Sequence, residues 1–236
     1  MSTAYKRVLL KLSGEALAGP KGTGFDDDTM TAIAKSIKEC VDLGVEMAIV
    51  VGGGNFWRGR SSGSMDRVHA DYIGMLATAM NALAVSDYLE AAGVPVRVQT
   101  AIAMPTVAEQ YTRNKAIDHL GKGRVVVFGC GTGSPFCSTD TAAALRAAEV
   151  DAEIVMKATN VDGVYDKDPN KYSDAVRYDT LTLDEVLEKK LNVIDMTAAS
   201  MCRDSGIPVM VFSIKQPENL VKALKGENVG TIVKEA

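Results

Sequence analysis

Two lysines in this chain stand where a positive charge requires an anionic partner. Lys11 and Lys157 each follow three apolar residues and come just before a turn rich in small and polar residues. A lysine at the end of an apolar strand is costly unless it meets an anion. Two glycine-rich segments lie between them along the chain, Gly52–Asn55 and Gly129–Gly133. Together these features predict a site that holds phosphates and neutralises charge during phosphoryl transfer.

The first glycine segment is a candidate phosphate-binding turn. Successive glycines let backbone N–H groups approach an anion with no Cβ in the way. Taken alone they suit a tight turn equally well, but Arg58 follows closely enough to fork a phosphate. Two familiar nucleotide motifs are missing, since no GxxxxGK followed by Ser or Thr occurs and Ser134 stands where GxGxxG requires its last glycine. The sequence excludes a P-loop enzyme and disfavours a dinucleotide site.

Several polar residues near these segments have two interpretations each. Asp140 could orient both lysines by charge pairing, or it could be an ordinary acid in the first turn of a helix. Asp71 could be a first-turn acid or could bind a sugar hydroxyl. The hydroxyls of Ser138 and Thr139 could cap the following helix or line a pocket for a polar ring.

Composition indicates an ordinary globular protein. The chain has 236 residues, 47% of them hydrophobic and 24% charged, enough for one sizeable domain or two tightly joined lobes. A net charge of −4 argues against binding nucleic acid through a broad basic face. The four cysteines form no CxxC pair and the two histidines lack metal-ligand spacing, so we expect buried free thiols and no protein-bound metal. Lacking a signal-peptide pattern and a membrane-length apolar run, the sequence predicts a cytoplasmic protein.

Apolar runs alternate with helical patterns, which predicts an α/β fold with an open, mostly parallel sheet and helices on both faces. Strands are expected at Arg7–Leu12, Val45–Val51, Val94–Gln99, Arg124–Phe128, Glu153–Ala158, Pro208–Ser213 and Thr231–Val233. Helices are expected over Thr29–Leu43, over Asp71–Ala92 (spacing of Ile73, Leu76, Met80 and Leu83), from Thr141, from the capping box at Thr182, and with Pro217 in the first turn. The stretch Asp162–Tyr178 could cover a bound nucleotide.

Taken in order, these segments closely resemble the bacterial UMP kinases of the amino acid kinase superfamily. The resemblance rests on Leu10–Leu17, on Gly52–Asn55 with Arg58, on Gly131–Asp140, and on Lys157–Tyr165. The stretch Gly74–Thr78 and the Thr-Gly-x-Pro-Phe motif resemble the UMP enzymes more specifically. The resemblance covers nearly the whole chain and implies one amino acid kinase domain over residues 1–236. This domain would be a three-layer sandwich, with an N-terminal lobe that mainly binds UMP and a C-terminal lobe that mainly binds ATP.

The resemblance also implies a role for each matching residue. Lys11 and Lys157 would stabilise the transferring phosphoryl group, and Asp140 would position them. The residues implied for ATP are Lys11, Leu12, Ser13, Gly14, Gly54, Arg58, Thr159, Asn160, Tyr165 and Asp168. The residues implied for UMP are Gly53, Asp71 (on the ribose), Thr132, Gly133, Ser134, Pro135, Phe136, Cys137, Ser138 and Thr139.

The implied reaction is ATP + UMP giving ADP + UDP in pyrimidine nucleotide biosynthesis, with Mg²⁺ on the ATP phosphates. A homohexamer activated by GTP and inhibited by UTP is also implied, without nucleic-acid or membrane partners. Ser134 stands where asparagine is common in the family, and Cys137-Ser138 replaces a more usual aromatic-threonine pair.

Two rival functions remain at this point. A kinase of the same fold could act on a carboxylate or carbamate, but the Thr-Gly-Ser-Pro-Phe segment disfavours it. A non-catalytic nucleotide- or oxyanion-binding protein, such as a molybdate-storage-like subunit, would not need two lysines with Asp140.

Overall fold

One nine-stranded sheet organises the computed structural model, which describes residues 3–58, 63–169, 171–189, 191 and 194–235. Its strands are β1 Arg7–Leu12, β2 Glu46–Val51, β3 Val96–Thr100, β4 Glu109–Gln110, β5 Val125–Gly129, β6 Ile154–Thr159, β9 Thr180–Thr182, β10 Val209–Ser213 and β11 Gly230–Lys234. A separate antiparallel pair consists of β7 Val164–Tyr165 and β8 Arg177–Tyr178.

The helices are α1 Gly14–Ala18, α2 Asp27–Asp42, α3 Arg67–Ala91, α4 Arg113–Gly121, α5 Thr139–Glu149, α6 Leu183–Glu188, α7 Met196–Asp204 and α8 Asn219–Leu224, with a 3₁₀ turn at Gly19–Lys21. In the sheet the strand order is β4-β3-β5-β2-β1-β6-β10-β11-β9, and every neighbouring pair is parallel except β10 with β11. The predicted α/β class with a mostly parallel sheet is confirmed. Within the described residues no helix is both long and apolar enough to cross a bilayer.

Two apolar layers enclose the sheet because side chains alternate between its faces. On one face, residues such as Leu10 and Met156 pack with α2, α3 and α8. On the other, Leu9 and Val155 pack with α4, α5, α6 and α7. All seven predicted strands are present with ends shifted by at most two residues, since runs buried on both faces are easy to detect. The short strands β4, β7, β8 and β9 were not predicted, because two or three residues carry no periodic signal.

The order of strands creates a crevice at the carboxyl end of β1. The chain leaves β1 toward β2 on one side and later returns to β6 on its other side. Ligands of open α/β sheets bind at such a switch point, outside the carboxyl ends of the strands. The segments after β1, β2 and β6 therefore converge on one place.

The long helix α3 differs from the prediction in where it begins and in which face is buried. It begins at Arg67 with Asp66 as N-cap, not at Asp71. The residues whose spacing predicted it, Ile73, Leu76, Met80 and Leu83, are 37%, 49%, 47% and 39% exposed. Small residues face the sheet instead, because the backbones approach closely: a Cβ on Gly129 would lie 3.2 Å from the Cα of Ala79.

Other element ends also differ from expectation. The first predicted helix begins at Asp27, where Asp26 caps it, and α5 begins at Thr139 after its N-cap Ser138. The capping box at Thr182 is present. Pro217 precedes Glu218, the N-cap of α8, and does not lie in the first turn of that helix. The carbonyls of Gln216 and Pro217 accept from the N–H groups of Asn219 and Leu220, which forms a turn before the helix. Helices α1, α4 and α7 were not predicted, and the stretch that could cover a nucleotide contains the β7–β8 pair, with Asn170 outside the described residues.

A buried amide pair joins α3 to the turn after β2. Asn55 and Asn81 are 3% and 0% exposed. Nδ2 of Asn81 donates to the Gly52 carbonyl at 2.5 Å and to Oδ1 of Asn55 at 2.7 Å. Nδ2 of Asn55 in turn donates to the Gly24 carbonyl at 2.8 Å. This network fixes the glycine turn relative to the longest helix.

Replacing Asn81 with alanine should lower the free energy of unfolding by about 1–3 kcal/mol, because the Gly52 carbonyl and the Asn55 amide lose a buried partner. Urea denaturation monitored by circular dichroism measures this loss. Asn114→Ala, at an exposed position of α4, is the matched control and should change stability by no more than about 0.5 kcal/mol. Equal stability of the two variants would remove the network from the list of structural supports.

Candidate active site

Strands β1 and β6 bring the two lysines side by side. Lys11 and Lys157 are register partners in the parallel ladder. Alternation directs both side chains to the face of the sheet covered by α5. Their side chains are only 10% and 16% exposed. Two ammonium groups in this position repel each other unless an anion lies between them.

Helix α5 supplies that anion. Asp140 is its second residue, and Nζ of Lys11 lies 2.9 Å from its Oδ1 while Nζ of Lys157 lies 2.6 Å from its Oδ2. The carboxylate is also at the positive end of the helix dipole. Two ammonium groups and one carboxylate leave one positive charge at the carboxyl edge of the sheet. We refer to Lys11, Asp140 and Lys157 as the lysine–aspartate cluster.

Burial and ion pairing oppose each other in this cluster. Burial by itself would raise the pKa of Asp140, but Lys11 and Lys157 outweigh it and hold the pKa below its ordinary value. Burial lowers the pKa of Lys157, Asp140 opposes that effect, and Lys11 adds to it. An incoming phosphate would offset the repulsion between the two lysines.

The glycine turn after β2 packs backbone against backbone on the start of α1. The N–H of Gly52 donates to the Leu12 carbonyl at 2.8 Å. A Cβ on Gly14 would lie 2.6 Å from the N of Gly54, closer than real Cβ atoms approach. The glycines therefore serve the close packing of the turn against the start of α1.

Arg58 lies at the edge of this turn, paired with an acid. Its guanidinium contacts the carboxylate of Glu15 on α1, and its side chain is 65% exposed. The same Glu15 occupies the space that a Cβ on Gly54 would take. A phosphate bound by Arg58 would have to compete with this contact.

A cavity of about 140 Å³ lies between α3 and the segment after β5. Of the residues implied for UMP, it is lined by Gly53, Asp71, Thr132, Ser134, Cys137, Ser138 and Thr139. Gly133 and Pro135 belong to the same segment, whereas Phe136 lines a neighbouring groove of about 390 Å³. Trp57 also lines the first cavity and donates from Nε1 to the Ala70 carbonyl at 2.9 Å. We call this cavity the acceptor cavity.

Asp71 braces the acceptor cavity. Its Oδ2 accepts from Nε of Arg67 at 2.7 Å and from the backbone N–H of Phe136 at 2.9 Å. The guanidinium of Arg67 also lies 5.5 Å from the centre of the Phe136 ring. The sequence identified Asp71 but not Arg67, because the helix was expected to begin at Asp71, which left its i,i+4 partner Arg67 outside it.

The residues implied for the adenosine end are divided between two cavities. Thr159, Tyr165 and Asp168 line one of about 410 Å³ beside Lys157 and the β7–β8 pair. Asn160 lines a different one of about 600 Å³, together with Glu15 and Lys215. Leu12, Ser13 and Gly14 lie where β1 passes into α1, and Ser13 accepts from the N–H of Ala16 as N-cap. The first of these cavities thus includes Lys157 of the cluster, and the acceptor cavity includes Thr139, the neighbour of Asp140.

One smaller expectation needs correction. Cys40, Cys130 and Cys202 are buried free thiols, but Cys137 is exposed in the wall of the acceptor cavity. Of the two histidines, His119 is buried, and its Nε2 lies 3.0 Å from Oε2 of Glu109. Among the described residues no group of three or more His, Cys, Asp or Glu side chains could hold a metal ion.

The sequence matches the amino acid kinase family over residues 6–213. This span includes the lysine–aspartate cluster, the glycine turn and the acceptor cavity. The chain belongs to the amino acid kinase family.

Solved structures of this family superpose closely on the chain. A UMP kinase from Bacillus anthracis is 40% identical, with a TM-score of 0.94 over 98% of this chain and 96% of that one. A UMP kinase from Ureaplasma parvum is 35% identical, with a TM-score of 0.92 over 98% of this chain and 99% of that one. A uridylate kinase from Archaeoglobus fulgidus is 32% identical, with a TM-score of 0.74 over 96% of this chain and 99% of that one.

In this member of the amino acid kinase family, Asp140→Asn should destabilise the fold at neutral pH by about 3–5 kcal/mol, because two buried ammonium groups lose their counter-ion. The pKa of Asp140 is below its ordinary 3.8 in the folded state, so its contribution is complete above that value and is lost as the pH falls through the folded pKa. Urea unfolding of both proteins, from pH 7 downward, should show a difference that shrinks in acid.

The control for this series is Asp87→Asn, which changes an exposed carboxylate of α3. It should leave the free energy of unfolding within about 0.5 kcal/mol of the wild type at each pH. A deficit of Asp140→Asn that stayed the same at all pH values would show that the carboxylate's charge does not stabilise the cluster.

Proposed function

We propose that this protein is a nucleoside monophosphate kinase that transfers the γ-phosphoryl group of ATP to UMP, giving ADP and UDP. The observation that carries the proposal is the lysine–aspartate cluster between the acceptor cavity and the cavity beside β7 and β8. The neighbours from B. anthracis and U. parvum, both UMP kinases, support the choice of acceptor. We further propose that the protein acts in the cytoplasm, in pyrimidine nucleotide synthesis.

In this reaction an oxygen of the acceptor phosphate attacks the γ-phosphorus. The bond from that phosphorus to the β–γ bridging oxygen breaks, and its electron pair leaves with ADP. The acceptor is already an ionised phosphate, so the step needs no strong general base. Catalysis then depends on positioning and on neutralising charge.

The described residues suit these two tasks. Lys11 and Lys157 would hold oxygens of the transferring group, and Asp140 would keep their Nζ atoms in place. The N–H groups of the glycine turn and of Ser13–Gly14, with Arg58, would hold phosphates. ATP would bind as its magnesium complex, and the ion would neutralise part of the charge on the phosphates.

The two ends of the substrates would lie on opposite sides of the cluster in one domain. The mainly N-terminal acceptor cavity would take UMP, with Asp71 accepting from the ribose and the Thr132–Thr139 segment facing the base. The mainly C-terminal cavity, with Tyr165 and Asp168, would take adenosine. This arrangement brings the phosphate of UMP and the γ-phosphate of ATP together at Lys11 and Lys157.

The function is tested with an ADP-release assay in which magnesium-ATP is offered with UMP, CMP, dUMP, aspartate, glutamate or carbamate. Turnover with UMP and not with the carboxylate or carbamate acceptors supports the proposal. Turnover with aspartate, glutamate or carbamate would keep the fold and overturn the acceptor. Binding of ATP and UMP without turnover would favour the non-catalytic rival. Adding GTP or UTP to the same assay tests the activation and inhibition that we propose for these effectors.

Lys11→Ala should lower kcat by about 10²–10³-fold, because the lost charge acts chiefly on the transition state. The KM for UMP should change far less. Steady-state kinetics with UMP measure both values. Lys38→Ala removes an exposed lysine of α2 that pairs with Asp42 and should leave kcat unchanged. An unaltered kcat in Lys11→Ala would refute the role of this lysine.

We also propose that the protein self-associates, as a homohexamer, through the exposed apolar face of α3. Ile73, Leu76, Met80 and Leu83 form a continuous apolar stripe on this helix, and contiguous apolar surface of this kind marks interfaces. Met80→Glu should therefore shift the particle toward smaller assemblies in sedimentation velocity. Val176→Glu, at an apolar residue that is 62% exposed and far along the chain, is the control. A monomeric wild type would contradict the proposal.

A further inference from the structure

An aspartate that the sequence did not single out lies behind the lysine–aspartate cluster. Asp195 is the N-cap of α7, where its Oδ1 accepts from the N–H of Ala198 at 2.9 Å. A cap of this kind needs only one carboxylate oxygen. The other hydrogen bonds of Asp195 lead away from its own helix to the start of α5.

The N-cap of α5 is held by this carboxylate. Oγ of Ser138 accepts from the N–H groups of Asp140 and Thr141 at 3.0 and 3.1 Å. A hydroxyl has one proton, and that of Ser138 is donated to Oδ2 of Asp195. The buried hydroxyl of Thr141 lies 3.1 Å from both oxygens of Asp195. One carboxylate therefore caps α7 and also holds the hydroxyl groups of Ser138 and Thr141 at the start of α5.

This connection reaches both the cluster and the acceptor cavity. Asp140 lies between the two residues that Asp195 holds, so a shift of the α5 N-terminus moves its carboxylate relative to Lys11 and Lys157. Ser138 also lines the acceptor cavity. The position of the acceptor wall and the position of the lysines thus depend on the same hydrogen bond.

The charge of Asp195 also acts on the cluster. Lys157 is surrounded by Asp140 on α5, Lys11 on β1 and Asp195 before α7. Burial lowers the pKa of Lys157 and Lys11 lowers it further, while Asp140 and, more weakly, Asp195 raise it. The negative charge of Asp195 therefore favours the protonated form of Lys157.

We infer that Asp195 is a positioning residue for phosphoryl transfer. By holding Ser138 and Thr141, it fixes Asp140 between the two lysines and couples the wall of the acceptor cavity to them. This inference rests on the proposed kinase function and adds to it a residue that touches neither substrate.

The test compares wild type with Asp195→Asn in the ADP-release assay with magnesium-ATP and UMP. The amide keeps one oxygen for the cap of α7, but its nitrogen cannot accept the proton of Ser138. We expect kcat to fall roughly 10- to 100-fold, as for small displacements at an active site, with the KM for ATP changing little. Because Lys157 loses a nearby negative charge, the alkaline limb of the kcat profile should also move to lower pH.

Further variants distinguish a positioning role of Asp195, which alters kcat, from a purely structural role, which alters only thermal stability. Asp26→Asn changes the N-cap of α2, whose carboxylate likewise accepts from a backbone N–H and a hydroxyl, both of Thr29. It should lose comparable thermal stability with kcat and the alkaline limb unchanged. Ser138→Ala should lose kcat as Asp195→Asn does, the double variant should lose little more, and Ser138→Thr, which keeps the hydroxyl, should retain turnover.

If Asp195→Asn does not fold, the isosteric Thr141→Val tests the same connection and should also lower kcat. Unchanged kcat in the folded variants, or equal effects of Asp26→Asn and Asp195→Asn on kcat and the alkaline limb, would overturn the inference. Absence of turnover in the wild type would instead reject the proposed function, so the two failures are distinguishable.

Discussion

A single buried carboxylate makes this site possible. Lys11 and Lys157 are register partners on adjacent strands, and their ammonium groups repel each other unless Asp140 lies between them. The pairing requires the α5 N-terminus to meet the sheet at one place, where the strand order reverses about β1. Much of the surrounding architecture fixes that meeting point. A phosphoryl group would encounter the two ammonium groups of Lys11 and Lys157.

The glycine turn meets a second constraint, the close approach of backbones. A Cβ on Gly14 would collide with the backbone of Gly54, and Asn81 donates to the Gly52 carbonyl and to Asn55 in the same turn. Small residues of α3 likewise face the sheet and the turn. Ile73, Leu76, Met80 and Leu83 consequently lie outward as an exposed stripe, although α3 also buries Met75, Val85 and Leu89.

Hydrogen bonds between helix starts connect the two halves of the chain. Asp195 caps α7 and also holds the Ser138 cap of α5, so two helices from different parts of the sequence share one carboxylate. Because hydrogen bonds are directional, a displacement of Asp195 would displace the start of α5 with it. The wall of the acceptor cavity and the lysine–aspartate cluster are therefore mechanically linked.

The sequence by itself determined the seven longer strands, the fold class and the three residues of the lysine–aspartate cluster. Apolar runs buried on both faces, and lysines ending two of them, are local signals that need no tertiary information. Only the tertiary structure decided which face of α3 is buried, where α7 begins, and that Asp195 contacts the start of α5 beside Asp140. These features depend on contacts between residues distant in sequence: Ser138 and Asp195 are 57 positions apart. No periodicity or short motif records a contact of that kind, because it forms only when the sheet brings α5 and α7 together.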